Sequence, residues 1–145
     1  MDHHCPWVAN CIGFFNYKYF MNMLFYTALT NIFLVITSWP LFSQCLSSDE
    51  IDYRLSYYLI TSYLLSCTLG LVLTGFFTFH LWLIYRQYTT IEFCEKRSDG
   101  NETFKTSPYD RGLLNNYKTV LGNNILLWFI PFCKSTFYGY ILYSP

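Results

Sequence analysis

Two long stretches without a charged residue dominate the pattern of polar and apolar positions. No Asp, Glu, Lys or Arg falls between Lys18 and Asp49, a gap of 30 residues, and none between Arg54 and Arg86, a gap of 31. A helix needs only about 20 apolar residues to cross the hydrocarbon of a bilayer. The pattern therefore predicts two transmembrane helices, over 19–42 and 55–85. The first holds Phe25, Ile32, Phe33, Leu34 and Ile36, with Trp39 near its far end, and the second is rich in Leu, Tyr and Phe. A helical hairpin buried in a soluble protein is the alternative, but a core helix rarely stays uncharged for so long. The fold class expected is an all-α membrane protein with cytosolic amino- and carboxy-terminal segments.

The charges that remain set the orientation. The connection 43–54 holds Asp49, Glu50 and Asp52 but a single base, Arg54, and the other eight Lys and Arg lie outside the spans on the terminal sides. By the positive-inside rule both termini face the cytosol and the connection is a luminal loop. A cytosolic start keeps Cys5 and Cys11 as thiols or metal ligands rather than a disulfide. No cleavable signal peptide is visible, because polar chemistry follows Met1 at once. The sequon Asn101-Glu102-Thr103 then lies on the cytosolic side, where it is not glycosylated.

Residues 1–18 read as an irregular segment with turns at Gly13 and Asn16-Tyr17. Phe14, Phe15, Tyr17, Tyr19 and Phe20 form an aromatic cluster suited to the lipid headgroup region. In the second span Gly70 and Gly75 suggest close helix packing, and His80 an interfacial or hydrogen-bonded residue rather than a second base. The cytosolic tail 86–145 opens with a charged, turn-prone loop over 93–107. Glycine and asparagine punctuate 108–124, and 125–132 reads as an interfacial helix.

Composition agrees with the spans. Apolar residues make up 53% of the 145 and charged residues only 12%, about half the usual charged share of a soluble protein. Formal net charge is zero, so nothing indicates a nucleic-acid partner.

The chemistry gathers at the amino terminus, in Asp2-His3-His4-Cys5-Pro6-Trp7-Val8-Ala9-Asn10-Cys11. A thiol of ordinary pKa is only a few per cent thiolate at pH 7, so a nucleophilic Cys5 needs a base beside it. In an extended stretch residues i and i+2 share a side, which lets His3 face Cys5 and turns His4 away. Asp2 can hold one nitrogen of His3 and fix its tautomer. His4 and Cys11 look like half of a tetrahedral zinc site. Cys45 and Cys67 are excluded as further ligands by their luminal or intramembrane positions, whereas Cys94 could approach. Such a string can also be a surface tract or an adventitious metal site. The ordered set of residues beside two spans weighs against that.

These residues resemble the DHHC family of protein S-acyltransferases (palmitoyltransferases). Asp2-His3-His4-Cys5-Pro6-Trp7 is similar to its signature, as are Asn10-Cys11-Ile12-Gly13 and Asn16. Thr89-Thr90-Ile91-Glu92 resembles the family's Thr-Thr-x-Glu motif, and Pro108-Tyr109-Asp110-x-Gly112 with Asn115 and Gly122 its carboxy-terminal motif. The resemblance implies an enzyme that moves a long acyl chain from palmitoyl-CoA to cysteines of membrane-associated proteins through an acyl-Cys5 intermediate. Cys5 would carry the acyl group, His3 would be its base and Asp2 would orient His3. His4 and Cys11 would belong to a structural zinc site. Thr89 and Thr90 would brace the active site, Glu92 would stabilise the adjoining fold, and Asn115 would pin the carboxy-terminal segment against the spans. The family default for location is the Golgi or endoplasmic reticulum.

Residues 1–18 would be the carboxy-terminal end of the family's cysteine-rich domain. The chain thus reads as an amino-terminally truncated member, lacking two spans and most zinc ligands. Two other readings follow: an inactive truncated fragment, and a small non-enzymatic membrane subunit whose His-Cys string only binds metal.

Overall fold

The computed structural model describes residues 1–47, 52–98 and 107–132. Part of the expected luminal loop, including Asp49 and Glu50, lies outside the described residues, as do the sequon and the end of the tail. The chain divides into two compact units, one of residues 1–22 with 80–145 and one of residues 23–79.

The second unit is built from the middle of two long helices, α1 (Tyr17–Ser47) and α2 (Tyr53–Arg86). At 1.5 Å per residue they are about 46 and 51 Å long, well beyond the roughly 30 Å of bilayer hydrocarbon. Both are long and apolar enough to cross a membrane, and both overrun the expected spans. Within this unit they run antiparallel: Phe25 meets Phe77, Asn31 lies against Gly70, and Phe42 stacks on Tyr63 at 4.1 Å between ring centroids. A Cβ at Gly70 would come 3.3 Å from that of Asn31, so this glycine has a packing role; at Gly75 a Cβ would meet nothing within 4 Å. Thr27, Thr30, Thr61, Thr68 and Thr78 each turn the hydroxyl back onto the carbonyl four residues earlier. That leaves no hydroxyl donor of these residues bare to hydrocarbon. Leu29, Phe33, Ile36, Leu65, Leu71 and Val72 face outward. So much outward apolar surface suits lipid or other apolar helices and not water, and it sets the soluble hairpin aside: this is a membrane protein.

The first unit departs from an all-helical plan in one place. Residues expected to be irregular form an antiparallel hairpin, β1 (His3–Cys5) and β2 (Asn10–Ile12), paired His3 with Ile12, His4 with Cys11 and Cys5 with Asn10. A 3-10 turn over Pro6–Val8 joins them, with proline at its first position, where its missing N–H costs nothing. The turn closes at Ala9 in the left-handed region, φ 47°. Asn16 links the hairpin to α1: its side chain accepts from the Gly13 N–H at 2.7 Å and donates to the Cys11 carbonyl at 2.8 Å.

The exit from α2 is equally specified. The Tyr88 N–H returns to the Leu83 carbonyl and the Gln87 N–H to that of Ile84, with Gln87 left-handed at φ 52°. This pair of bonds is the Schellman closure of a helix. Thr89 immediately starts another helix, α3 (Thr90–Ser98). Its N–H and hydroxyl donate to the Glu92 carboxylate, and the Glu92 N–H donates back to its hydroxyl. That is a capping box, and it makes a helix of residues expected to open a loop.

Two further expectations for the tail are corrected. The punctuated stretch contains α4 (Leu113–Leu121), and 125–132 is not a helix but one 3-10 turn, Ile125–Leu127. The Asn124 side chain accepts from the Leu126 N–H, and the Trp128 indole donates to the Gly122 carbonyl. Both contacts fold the segment back before a helix can extend.

Candidate active site

Asp2 is the hub of the first unit. It is only 5% exposed, and a buried carboxylate needs partners. It has three: His3 Nδ1 at 2.6 Å, the Thr90 N–H at 2.7 Å and the Thr90 hydroxyl at 2.7 Å. The Thr90 N–H belongs to the first turn of α3, so the positive end of that helix also faces the carboxylate. The turn out of α2 and the capping box together put Thr90 there, and Asp2 is fixed from its own side by its N–H on the Ile12 carbonyl at 2.8 Å. The two threonines therefore divide their work: Thr90 touches Asp2, and Thr89 pairs with Glu92.

A carboxylate only accepts, so His3 Nδ1 carries the hydrogen, and in the neutral ring Nε2 is then the nitrogen with the lone pair. Nε2 is buried and has no hydrogen-bond partner among the described residues. Two residues on along β1, Cys5 lies on the same side of the strand, buried at 5% exposure. His4, between them, is exposed on the opposite side. Trp7, at the tip of the turn, is 92% exposed.

On that opposite side His4 and Cys11 are directly paired across the hairpin, with Nδ1 and Sγ 3.5 Å apart. Two ligands of a tetrahedral zinc ion, one nitrogen and one sulfur at ordinary bond lengths, stand about 3.6 Å apart. The pair fits two corners of such a site. Among the described residues no group of three or more His, Cys, Asp or Glu could hold a metal, and Cys94 is exposed on α3 away from any such cluster. All five described cysteines are free thiols.

Behind His3 lies a buried aromatic group that the local sequence pattern did not disclose. Phe20 is edge-on to His3 at 5.3 Å and to His80 at 5.0 Å, and the His3 and His80 rings are 5.8 Å apart. Tyr17 Oη and His80 Nδ1 share a hydrogen bond of 2.7 Å. His80 is thus a buried, hydrogen-bonded residue.

The carboxy-terminal motif corrects one assignment. Asn115 is exposed and its amide donates to the Arg111 carbonyl, in the segment just before its own helix, rather than to α2. Asn116, 1% exposed, makes the contact to α2 instead. Its amide nitrogen donates to the Tyr85 carbonyl and to Asp110, its side-chain oxygen accepts from the Arg111 N–H, and its own carbonyl accepts from Gln87. The Asn116 amide and the Gly112 N–H hold the Asp110 carboxyl below the ordinary carboxylate range.

Residues 1–97 match the family model of the DHHC palmitoyltransferases. The chain belongs to the DHHC palmitoyltransferase family. It is 33% identical over 140 residues to palmitoyltransferase ZDHHC15 of Rattus norvegicus, covering 93% of this chain and 40% of that protein. Similarity to probable protein S-acyltransferase 13 of Arabidopsis thaliana is 34% identity over 135 residues, 90% of this chain and 43% of the relative. Palmitoyltransferase ZDHHC2 of Danio rerio is 31% identical over 135 residues, 93% of this chain and 37% of the relative. The DHHC chain spans about two-fifths of the length of these relatives.

Proposed function

We propose that the chain carries the acyl-transfer centre of a protein-cysteine S-palmitoyltransferase, with Cys5 as nucleophile, His3 as base and Asp2 as the residue that orients it. One observation supports this above all: Asp2 holds His3 by Nδ1 at 2.6 Å while gripped by Thr90, leaving Nε2 bare on the side of the strand that carries Cys5. In the first step Nε2 takes the Cys5 proton, and the thiolate attacks the thioester carbon of a long-chain acyl-CoA. The carbon–sulfur bond to CoA breaks, and the departing CoA thiolate takes the proton from His3. In the second step His3 takes the proton of a cysteine on a membrane-associated protein. That thiolate attacks acyl-Cys5, and Cys5 recovers the proton as its thiol. Thioester exchange is nearly balanced, so placement and thiol activation supply most of the acceleration.

The bilayer explains the choice of acyl group. Each methylene moved out of water contributes about 0.8 kcal/mol, and a long chain is best held beside spanning helices. In this reading residues 1–18 and 86–145 are cytosolic, 43–54 is luminal, and the protein resides in the Golgi or endoplasmic reticulum. His4 and Cys11 would hold two corners of a zinc site, and the metal there would supply structural cross-linking of the hairpin rather than chemistry.

The test is acyl loading from radiolabelled palmitoyl-CoA. Cys5→Ser abolishes both loading and transfer to a protein thiol, and His3→Ala slows loading by about 10²- to 10⁴-fold. Label that persists on the Cys5→Ser chain refutes the reading.

A further inference from the structure

A single hydrogen bond does not fix an imidazole. His3 is held at Nδ1 by Asp2, and a ring so held can still swing about that bond and carry Nε2 away from Cys5. What opposes the swing is the buried aromatic group behind it. Phe20 packs T-shaped against both histidines, and the His80 ring is tilted by 39° against His3 at 5.8 Å between centroids. His80 can brace His3 only if its own ring is fixed. The 2.7 Å bond to Tyr17 Oη fixes it, with His80 at 1% exposure and Tyr17 also buried.

We infer that Tyr17 and His80 are positioning residues for acyl loading, their hydrogen bond holding the His80 ring against His3 so that Nε2 stays aimed at the Cys5 side. This rests on the reading of His3 as the base. Tyr17 and Phe20 come from the first turn of α1, and His80 from the last two turns of α2. The base on the hairpin is thereby referenced to both long helices where they enter this unit.

The experiment uses the full chain in lipid nanodiscs, with palmitoyl-CoA as acyl donor. Tyr17→Phe removes one oxygen and keeps the ring. It is expected to lower the loading rate constant about tenfold while KM for palmitoyl-CoA stays within about twofold, since small misplacements of a reacting group cost that much. His80→Phe should do the same. The double variant should be no slower than either single one, because both residues act through one ring. Nitrogen-15 spectra of the His3 imidazole should show a single Nδ1–H tautomer in the unsubstituted chain and averaged signals in Tyr17→Phe. A wild-type loading rate, a loss confined to KM, or an unchanged His3 spectrum in Tyr17→Phe overturns the inference. Label that survives in Cys5→Ser overturns the transferase reading instead, and the His3 spectra judge the inference independently of activity.

Discussion

Thr90 gives Asp2 two hydrogen bonds from one residue, its backbone N–H to one carboxylate oxygen and its hydroxyl to the other, both at 2.7 Å. The hydroxyl is the part that a substitution can remove without moving the helix. Thr90→Val keeps the shape and the N–H but leaves one carboxylate oxygen short of a donor. Loading of Cys5 should fall by about tenfold, the equivalent of about 1.5 kcal/mol for a charge-assisted bond. Thr90→Ser should restore most of it. Equal single-turnover rates for the valine and threonine chains would remove Thr90 from the machinery.

Asn116 and Asn115 are adjacent, and their substitutions should differ sharply. Asn116→Ala takes the side-chain partner from the part-buried Tyr85 carbonyl and Arg111 N–H, at a cost of about 2 kcal/mol. Asn115→Ala, on the exposed side of α4, should stay within about 0.5 kcal/mol of the parent. Thermal unfolding in detergent reads both. Equal midpoints would contradict the roles given to the two residues.

Ala9 sits at φ 47°, a left-handed conformation in which a Cβ is crowded. Asparagine tolerates that region better than alanine, so Ala9→Asn should stabilise the hairpin by up to about 1 kcal/mol. Ala9→Val should do the opposite. The reading is the unfolding midpoint, and a destabilised Ala9→Asn chain would mean that the turn relaxes in solution.

Asp110 supplies a pH test. Its carboxyl is held below the ordinary aspartate range, first by the Asn116 amide and then by the Gly112 N–H. A depressed value in the fold adds stability that is present above the unfolded value and is lost as pH falls through the folded one. Its contribution should therefore disappear only below about pH 4. Midpoints for the parent and for Asp110→Asn should converge as pH drops from 5 to 3. A constant difference over that window would show that the carboxylate is not what the Asn116 amide recognises.

For the metal pair, His4→Ala should lower the zinc bound per chain, measured by atomic absorption, and open the hairpin to proteolysis. Unchanged zinc would free His4 from the role proposed for it.

Much of this was legible in sequence because it depends on short-range rules. The charge gaps gave both long helices, and the two-residue repeat of a strand separated His3 and Cys5 from His4. The tail was harder. Charge and turn residues over 93–107 hid α3, although Thr89 and Glu92 already carried the capping box that forms it. The asparagines near α4 read as punctuation, yet one of them is its buried anchor. Apolar content suggested a helix over 125–132, where Asn124 and Trp128 instead close a tight turn. Tyr17 and His80 meet across 63 residues, and no local pattern announces a contact made only when two helices fold together.

The hairpin has one more consequence, for selectivity between two sulfurs. Cys11 stands opposite His4, and Cys5 is one place further along the same ladder, facing the other way. A one-residue slip of β1 would exchange those faces. In the proposed chemistry the metal would then capture the reactive thiol, and the lipid would lose its acceptor. The pleat works as an insulator between two competing electrophiles, and the sharp turn at Pro6–Val8 is what keeps the wiring from crossing.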